Sequence, residues 1–277
     1  MKMVDPAETS EMQEINSKET VAKKVPRAKP LGVSPTDGFF PIDGIPSKYK
    51  LYPEGTKLHA RPLKVLELKT LATLNENNVN LVINDVLSKA VKGLPIDDLI
   101  VADKLYLIFW LRAYTYKDSG YVIDFDCSEC DTKSNYEFSL DCLNINDIKD
   151  NYDISKEIVL KKSGDTIKIG QLLIKDENNV QNFITKHRNS LMKFNEELLG
   201  IANLITEING EELSMLLKYE YIVKLDPIDY LFIESYIKKY EIGIDPIMDV
   251  KCKTCGGTAP VAVTFRSEFF IPTVDVE

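Results

Sequence analysis

Two Cys-x-x-Cys elements, set far apart, constrain this chain more than anything else in it. They are Cys127-Ser128-Glu129-Cys130 and Cys252-Lys253-Thr254-Cys255. Each places two thiols on one tight turn, and four thiolates make a tetrahedral structural zinc site. The pairs stand 122 positions apart. That gap is tolerable because the cost of closing a loop grows only with the logarithm of its length. Residues 121–126 and 136–140 flank the first pair with strand-like alternation, and residues 247–250 and 261–265 do so for the second. The expectation is a zinc ribbon of two facing β-hairpins, with Cys127, Cys130, Cys252 and Cys255 as metal ligands. Gly256-Gly257 suits a turn in which φ is positive and backbone donors point at sulfur.

Other readings of the same cysteines stay open. An iron–sulfur cluster also takes four thiolates. Two unrelated reduced pairs in turns is the plainer alternative. A redox Cys-x-x-Cys usually opens a helix, whereas these sit between strands. A catalytic zinc keeps an open position that four thiolates would not leave. The fifth cysteine, Cys142, reads as a small buried hydrophobe rather than a nucleophile. With no apolar run after Met1, a reducing cytoplasm is expected in place of a disulfide framework.

The 277 residues suffice for one large domain or two modest ones plus tails. A net charge of −9 argues against a dedicated nucleic-acid binder. The longest apolar run, residues 105–111, is too short to span a bilayer.

Four segments follow from the patterning. Residues 1–50 read as an extended Pro-rich arm: eight of the 13 prolines lie at or before Pro62. Its basic cluster, Lys23, Lys24, Arg27 and Lys29, is offset by Glu11, Glu14 and Glu19 and reads as a solvated or partner-facing stretch. Phe39 and Phe40 are candidate partner contacts. Residues 51–145 make a helical unit plus the first zinc hairpin. A helix over 75–93 carries Val79, Val82, Ile83, Val86, Leu87, Ala90 and Val91 at helical spacing. Asp103 is placed to cap the next helix, whose 105–111 run is buried on most faces.

Residues 146–243 form an inserted hairpin and helical module. Ser163-Gly164-Asp165 turns the hairpin. One long helix is expected over 177–208, with a heptad seam through Val180, Ile184, His187, Leu191, Phe194, Leu198, Ile201, Ile205 and Ile208. That seam reads as an intrachain contact, with an oligomer zipper as the alternative. Further helices follow over 211–223 and from Asp226-Pro227, as N-cap and N1, to residue 240. Residues 244–277 carry the second hairpin and an apolar tail. There Phe269 and Phe270 are candidate partner contacts that either pack back on the core or dock into a neighbour. The fold class is α+β. His59 and His187 lack motif partners, and no phosphate loop, nucleophile elbow or His-Glu-x-x-His occurs.

The order of elements is itself informative. Residues 103–113 (Asp-Lys-Leu-Tyr-Leu-Ile-Phe-Trp-Leu-Arg-Ala) precede Cys-Ser-Glu-Cys, then Lys162-Ser163-Gly164-Asp165, then Leu225-Asp226-Pro227-Ile228-Asp229. Gly243-Ile244-Asp245 precedes the second Cys-x-x-Cys-Gly, and Phe269-Phe270-Ile271-Pro272 closes the series. Over residues 51–272 the chain resembles the baseplate hub protein family of T-even-like contractile-tailed bacteriophages. The resemblance implies a virion structural or assembly subunit of the tail baseplate, without catalysis. It would be assembled in the host cytoplasm. Its partners would be other baseplate hub, tail-tube or wedge proteins, or further copies of itself. The long arm departs from the family pattern, so its role is not carried over. The competing reading is a zinc-ribbon nucleic-acid or transcription-associated factor. The net charge and the lack of a basic, aromatic-studded strand face weigh against it.

Overall fold

A computed structural model describes residues 38–75, 78–116, 121–138, 143–187, 194–245, 247–263 and 265–271. The elements run β1 (Phe40–Pro41), β2 (His59–Ala60), α1 (Val65–Leu71), α2 (Val79–Ala90), β3 (Val91–Lys92) and α3 (Val101–Tyr116). Next come β4 (Tyr121–Asp126), β5 (Lys133–Phe138), β6 (Asn144–Asn146), β7 (Glu157–Val159) and β8 (Thr166–Ile169). Then follow α4 (Ile174–His187), α5 (Glu196–Leu204), β9 (Ile205–Ile208), α6 (Met215–Val223) and α7 (Pro227–Lys239). The last are β10 (Gly243–Asp245), β11 (Ile247–Lys251), β12 (Thr258–Ala262) and α8 (Ser267–Phe270). The class is α+β with small antiparallel sheets, as expected. Among the described residues no helix is long and apolar enough to cross a membrane.

Among the described residues two large apolar cores result, with a small third cluster of Ile100, Ala102, Ile148 and Ile242 beside them. The first belongs to a body assembled from distant parts of the chain. At its centre lies α3, where Leu107, Ile108, Phe109, Trp110 and Leu111 are all buried. A helix apolar on every side must be covered on every side. Ile83, Val86 and Leu87 of α2 cover it, with Met248 and Val250 of β11 and Val261 and Val263 at β12. Phe109 meets Phe265 and Phe269 edge-to-face at 5.4 and 5.5 Å. Ile42 and Ile45, which follow β1, lie in the same core with Ala60 of β2 and Val91 of β3. The folded body therefore takes in residues before Leu51, where the sequence suggested an arm to residue 50.

The second core is contiguous in sequence. Sheet β7-β8-β9 packs with α5, α6 and α7 through Ile158, Ile167, Leu199, Ile205, Ile222 and Ile233. The Ser163-Gly164-Asp165 turn is as expected. Gly164 sits at φ +77°, and the buried Asp229 carboxylate accepts from the Lys162 and Ser163 N–H groups at 3.0 and 2.8 Å. Asp226 caps α7 by accepting from the Ile228 N–H at 2.9 Å, with Pro227 at its first position.

The single long helix over 177–208 does not form. α4 ends its described course at His187 and α5 begins afresh at Glu196, capped by Asn195, whose side chain accepts from the Leu198 N–H at 3.1 Å. The last four residues of the expected helix, Ile205–Ile208, are a strand: β9 pairs with β8. Ile205, Thr206 and Ile208 are β-branched, a register shift at Lys168/Ile169 lets Ile205 and Ile208 both be buried, and Asn209-Gly210, at φ +53° and +79°, reverses the chain. Periodicities of helix and strand share the 205/208 spacing imperfectly, and sheet pairing decided between them.

The insertion is strapped to the body at α4. Its first residue, Ile174, is buried in the body core. Val101 N–H donates to Leu172 O at 2.8 Å and Ile174 N–H to Leu99 O at 2.9 Å. Lys104, almost wholly buried, pairs with Glu177 at 2.7 Å. The chain returns through β10, which pairs with β6.

Asp103 does not cap α3. It lies in the first turn, buried, and accepts from Ser47 N–H at 3.0 Å and Tyr52 Oη–H at 2.7 Å. It thus anchors the segment before α1. Burial pushes its carboxyl above the usual range, against the pull of those donors.

Candidate metal centre

The two hairpins are built alike. β4 and β5 pair in register from Tyr121↔Phe138 to Asp126↔Lys133, and β11 and β12 from Ile247↔Ala262 to Lys251↔Thr258. In each, the first cysteine closes the ladder with the same two backbone bonds. Cys127 N–H donates to Thr132 O at 3.1 Å, and Asp131 N–H to Cys127 O at 2.9 Å. In the second, Cys252 N–H donates to Gly257 O at 2.8 Å, and Gly256 N–H to Cys252 O at 2.9 Å. Position 131 corresponds to 256, and both take positive φ, +53° and +74°. Glycine adopts that conformation freely; aspartate tolerates it at some cost.

These turns bring the four sulfurs together. All lie within 4.8 Å of one another. Cys127 Sγ is 3.7 Å from Cys255 Sγ, and Cys130 Sγ is 3.8 Å from Cys252 Sγ. Sulfurs about 2.3 Å from a tetrahedral ion stand about 3.8 Å apart. A disulfide would need about 2.05 Å, and all four thiols are free. The residues therefore fit a four-coordinate metal ion, and the four cysteines are positioned to bind one. A closed set of four thiolates would hold such an ion without an open coordination position.

The acidities point the same way. Cys252 accepts from the backbone N–H groups of Cys255 and Thr254, which bring its thiol down to about 6. The Gly257 N–H also favours the Cys255 thiolate, but the neighbouring sulfurs, Cys130 first, and burial push Cys255 up to about 12. Four thiolates this close repel, and a cation among them removes the repulsion.

Three contacts around the sulfurs were not foreseen. Thr132 Oγ1 lies 2.6 Å from Cys130 Sγ, and its hydroxyl lowers that thiol. Lys253 crosses between hairpins, its Nζ donating to Asn135 Oδ1 at 2.6 Å. A Cβ at Gly257 would stand 2.1 Å from Glu129 Oε2, so the two turns approach closely there. A hydroxyl residue two places after the second cysteine was the one signal available in the sequence.

The other candidates lie elsewhere. Phe39 rests on the body, with Lys92 Nζ 4.1 Å from its ring centre and Arg61 Cζ at 5.7 Å. Phe40 is half-buried against Tyr114, ring centres 6.4 Å apart. Phe269 and Phe270, read as candidate partner contacts, are instead buried in the chain's own core at 0% and 2% exposure. Aromatic packing on Phe109 and Phe265 claims them. His59 sits in β2, and His187 packs on Phe183 and Phe194 at 4.3 and 5.6 Å. Cys142, the basic cluster of the arm and residues 272–277 lie outside the described residues.

Residues 45–271 match the family described as T4 bacteriophage base plate protein. That span takes in both hairpins, all four cysteines and the whole insertion, so the chain belongs to this family of phage baseplate proteins. No curated protein and no solved structure matches it.

Proposed function

We propose that this chain is a structural or assembly subunit of the hub of a phage tail baseplate, without catalysis, in which the four cysteines hold a structural zinc ion. The observation that carries the reading is the match over residues 45–271, which covers body and insertion together. The ion would be the fastener of the body: bound by Cys127, Cys130, Cys252 and Cys255, it would fix where the insertion leaves and returns. Zinc is favoured over an iron–sulfur cluster because 3.7 and 3.8 Å sulfur separations suit one small tetrahedral ion. Its partners would be other hub, tail-tube or wedge proteins, or further copies of this chain. Assembly would occur in the host cytoplasm.

The nucleic-acid reading meets an electrostatic obstacle in the ribbon itself. The outward face of β4 and β5 carries Val122, Asp124 and Asp126 opposite Glu137, Asn135 and Lys133. Acids outnumber the one base, so this face repels a phosphate backbone. Quantitative mass spectrometry of purified tails tests the proposal. The chain should be present at a fixed ratio to other tail proteins; its absence from tails, with tight nucleic-acid binding at moderate salt, would contradict a virion subunit.

A further inference from the structure

We infer that Cys255 is the labile ligand of the metal centre: the thiolate through which the metal exchanges, and the first to react with a soft electrophile or a low-molecular-weight disulfide. The inference rests on reading the four cysteines as one metal site.

Two differences between otherwise matching turns lead to it. The first is access. Cys127 and Cys252 are 1% and 2% exposed, Cys130 is half-buried and Cys255 is exposed. The second is the hydrogen bonding of the two outer sulfurs. Thr132 sets its hydroxyl 2.6 Å from Cys130. The matching position in the second turn is Gly257, which has no side chain to offer, and the Glu129 carboxylate already occupies the space a Cβ would need. Cys255 keeps the Gly257 N–H at 3.4 Å. A donor on a thiolate draws off charge and makes it a poorer nucleophile. Thr132 thus protects one outer sulfur, and the second turn lacks the equivalent protection.

The reaction balances simply. Cys255 sulfur attacks one sulfur of the disulfide, a new S–S bond forms to Cys255, and the other half departs as a thiolate carrying the electron pair. Three cysteines then remain to hold the ion. Modification at Cys255 would in this way loosen the junction of the two hairpins without touching either apolar core.

The test uses the full chain loaded with zinc. Limiting iodoacetamide is suitable because it is neutral, and Glu129 beside Gly257 would repel an anionic reagent. Peptide mapping locates the first adduct while a coloured chelator follows zinc release. Cys255 should be alkylated first, with zinc released alongside, and Cys127 and Cys252 should react at least about tenfold more slowly. Thr132→Val should raise the rate at Cys130 by about tenfold, the scale of one charge-assisted hydrogen bond, and leave Cys255 unchanged. A first adduct at Cys127, Cys130 or Cys252, or a Thr132→Val chain with an unchanged Cys130, overturns this inference alone. A chain that holds no zinc before alkylation overturns the single-site reading, and this inference with it.

Discussion

Body and insertion bury their apolar residues in opposite ways. The insertion draws its core from one continuous stretch, Ile158 to Ile233. The body draws its core from both sides of that stretch, so Phe109 packs on Phe265 and Phe269 across the whole insertion. A contiguous module meets its partners locally. A discontinuous one must close a loop of about 120 residues, an entropic cost on the order of 4–5 kcal/mol. The cysteine cluster lies on the discontinuous half, between a hairpin before the insertion and one after it. An ion bound there would cross-link the chain where closure is most costly.

That contrast can be broken first at the metal. Cys127→Ser and Cys252→Ser should each cost upward of about 5 kcal/mol in the zinc-loaded chain, and by similar amounts, since each removes a ligand from one ion. Denaturant unfolding with metal analysis measures this; a large effect from one and none from the other would separate the pairs.

Ile233→Ala should cost about 2–5 kcal/mol through a cavity in the second core, where Ile233 is fully buried. Zinc affinity should stay within about twofold. A parallel loss of zinc affinity would show that the two cores act as one.

The body also carries an acid-sensitive pair. Arg61 donates to both oxygens of Glu67, at 2.9 Å and 2.5 Å, with little solvent access. The Arg61 hydrogen bonds, above all, hold the Glu67 carboxyl below its usual 4.5. The unfolded chain then takes up this proton more readily than the folded one, so the stabilisation is full above about pH 4.5. It is lost as pH falls through the lowered folded value. Glu67→Gln should flatten that limb of the stability–pH curve. Asp103 slopes the other way: its raised pKa makes the fold lose stability as pH rises from 3.8 toward the folded value. The smallest effect belongs to Asp226→Ala, which removes the cap of α7 and should cost about 1 kcal/mol in the insertion alone.

Much of this was legible in the sequence where one local rule decides. The Cys-x-x-Cys turns, the Asp226-Pro227 helix start and the apolar 105–111 run each carry their own signal, and each appears as expected. The long helix failed because its heptad spacing continued past Asn195, a cap, into Ile205-Thr206-Glu207-Ile208, which the β7–β8 hairpin recruits as a third strand. Phe269 and Phe270 were ambiguous because an apolar cluster near a chain end looks the same whether it docks outward or folds inward. Only the position of Phe109 and Phe265 settles them. The Arg61–Glu67 pair and the Ile174 strap depend on elements meeting in space. Thr132 beside Cys130 could be read only once the two turns were matched position by position.

Hydrogen exchange of the zinc-loaded chain, with and without a strong chelator, tests the fastening role most directly. Stripping the metal should raise exchange in residues 121–138 and 247–263 by orders of magnitude, while residues 158–169 and 199–233 keep their protection. Equal loosening of the insertion, or an unchanged ribbon, would contradict it.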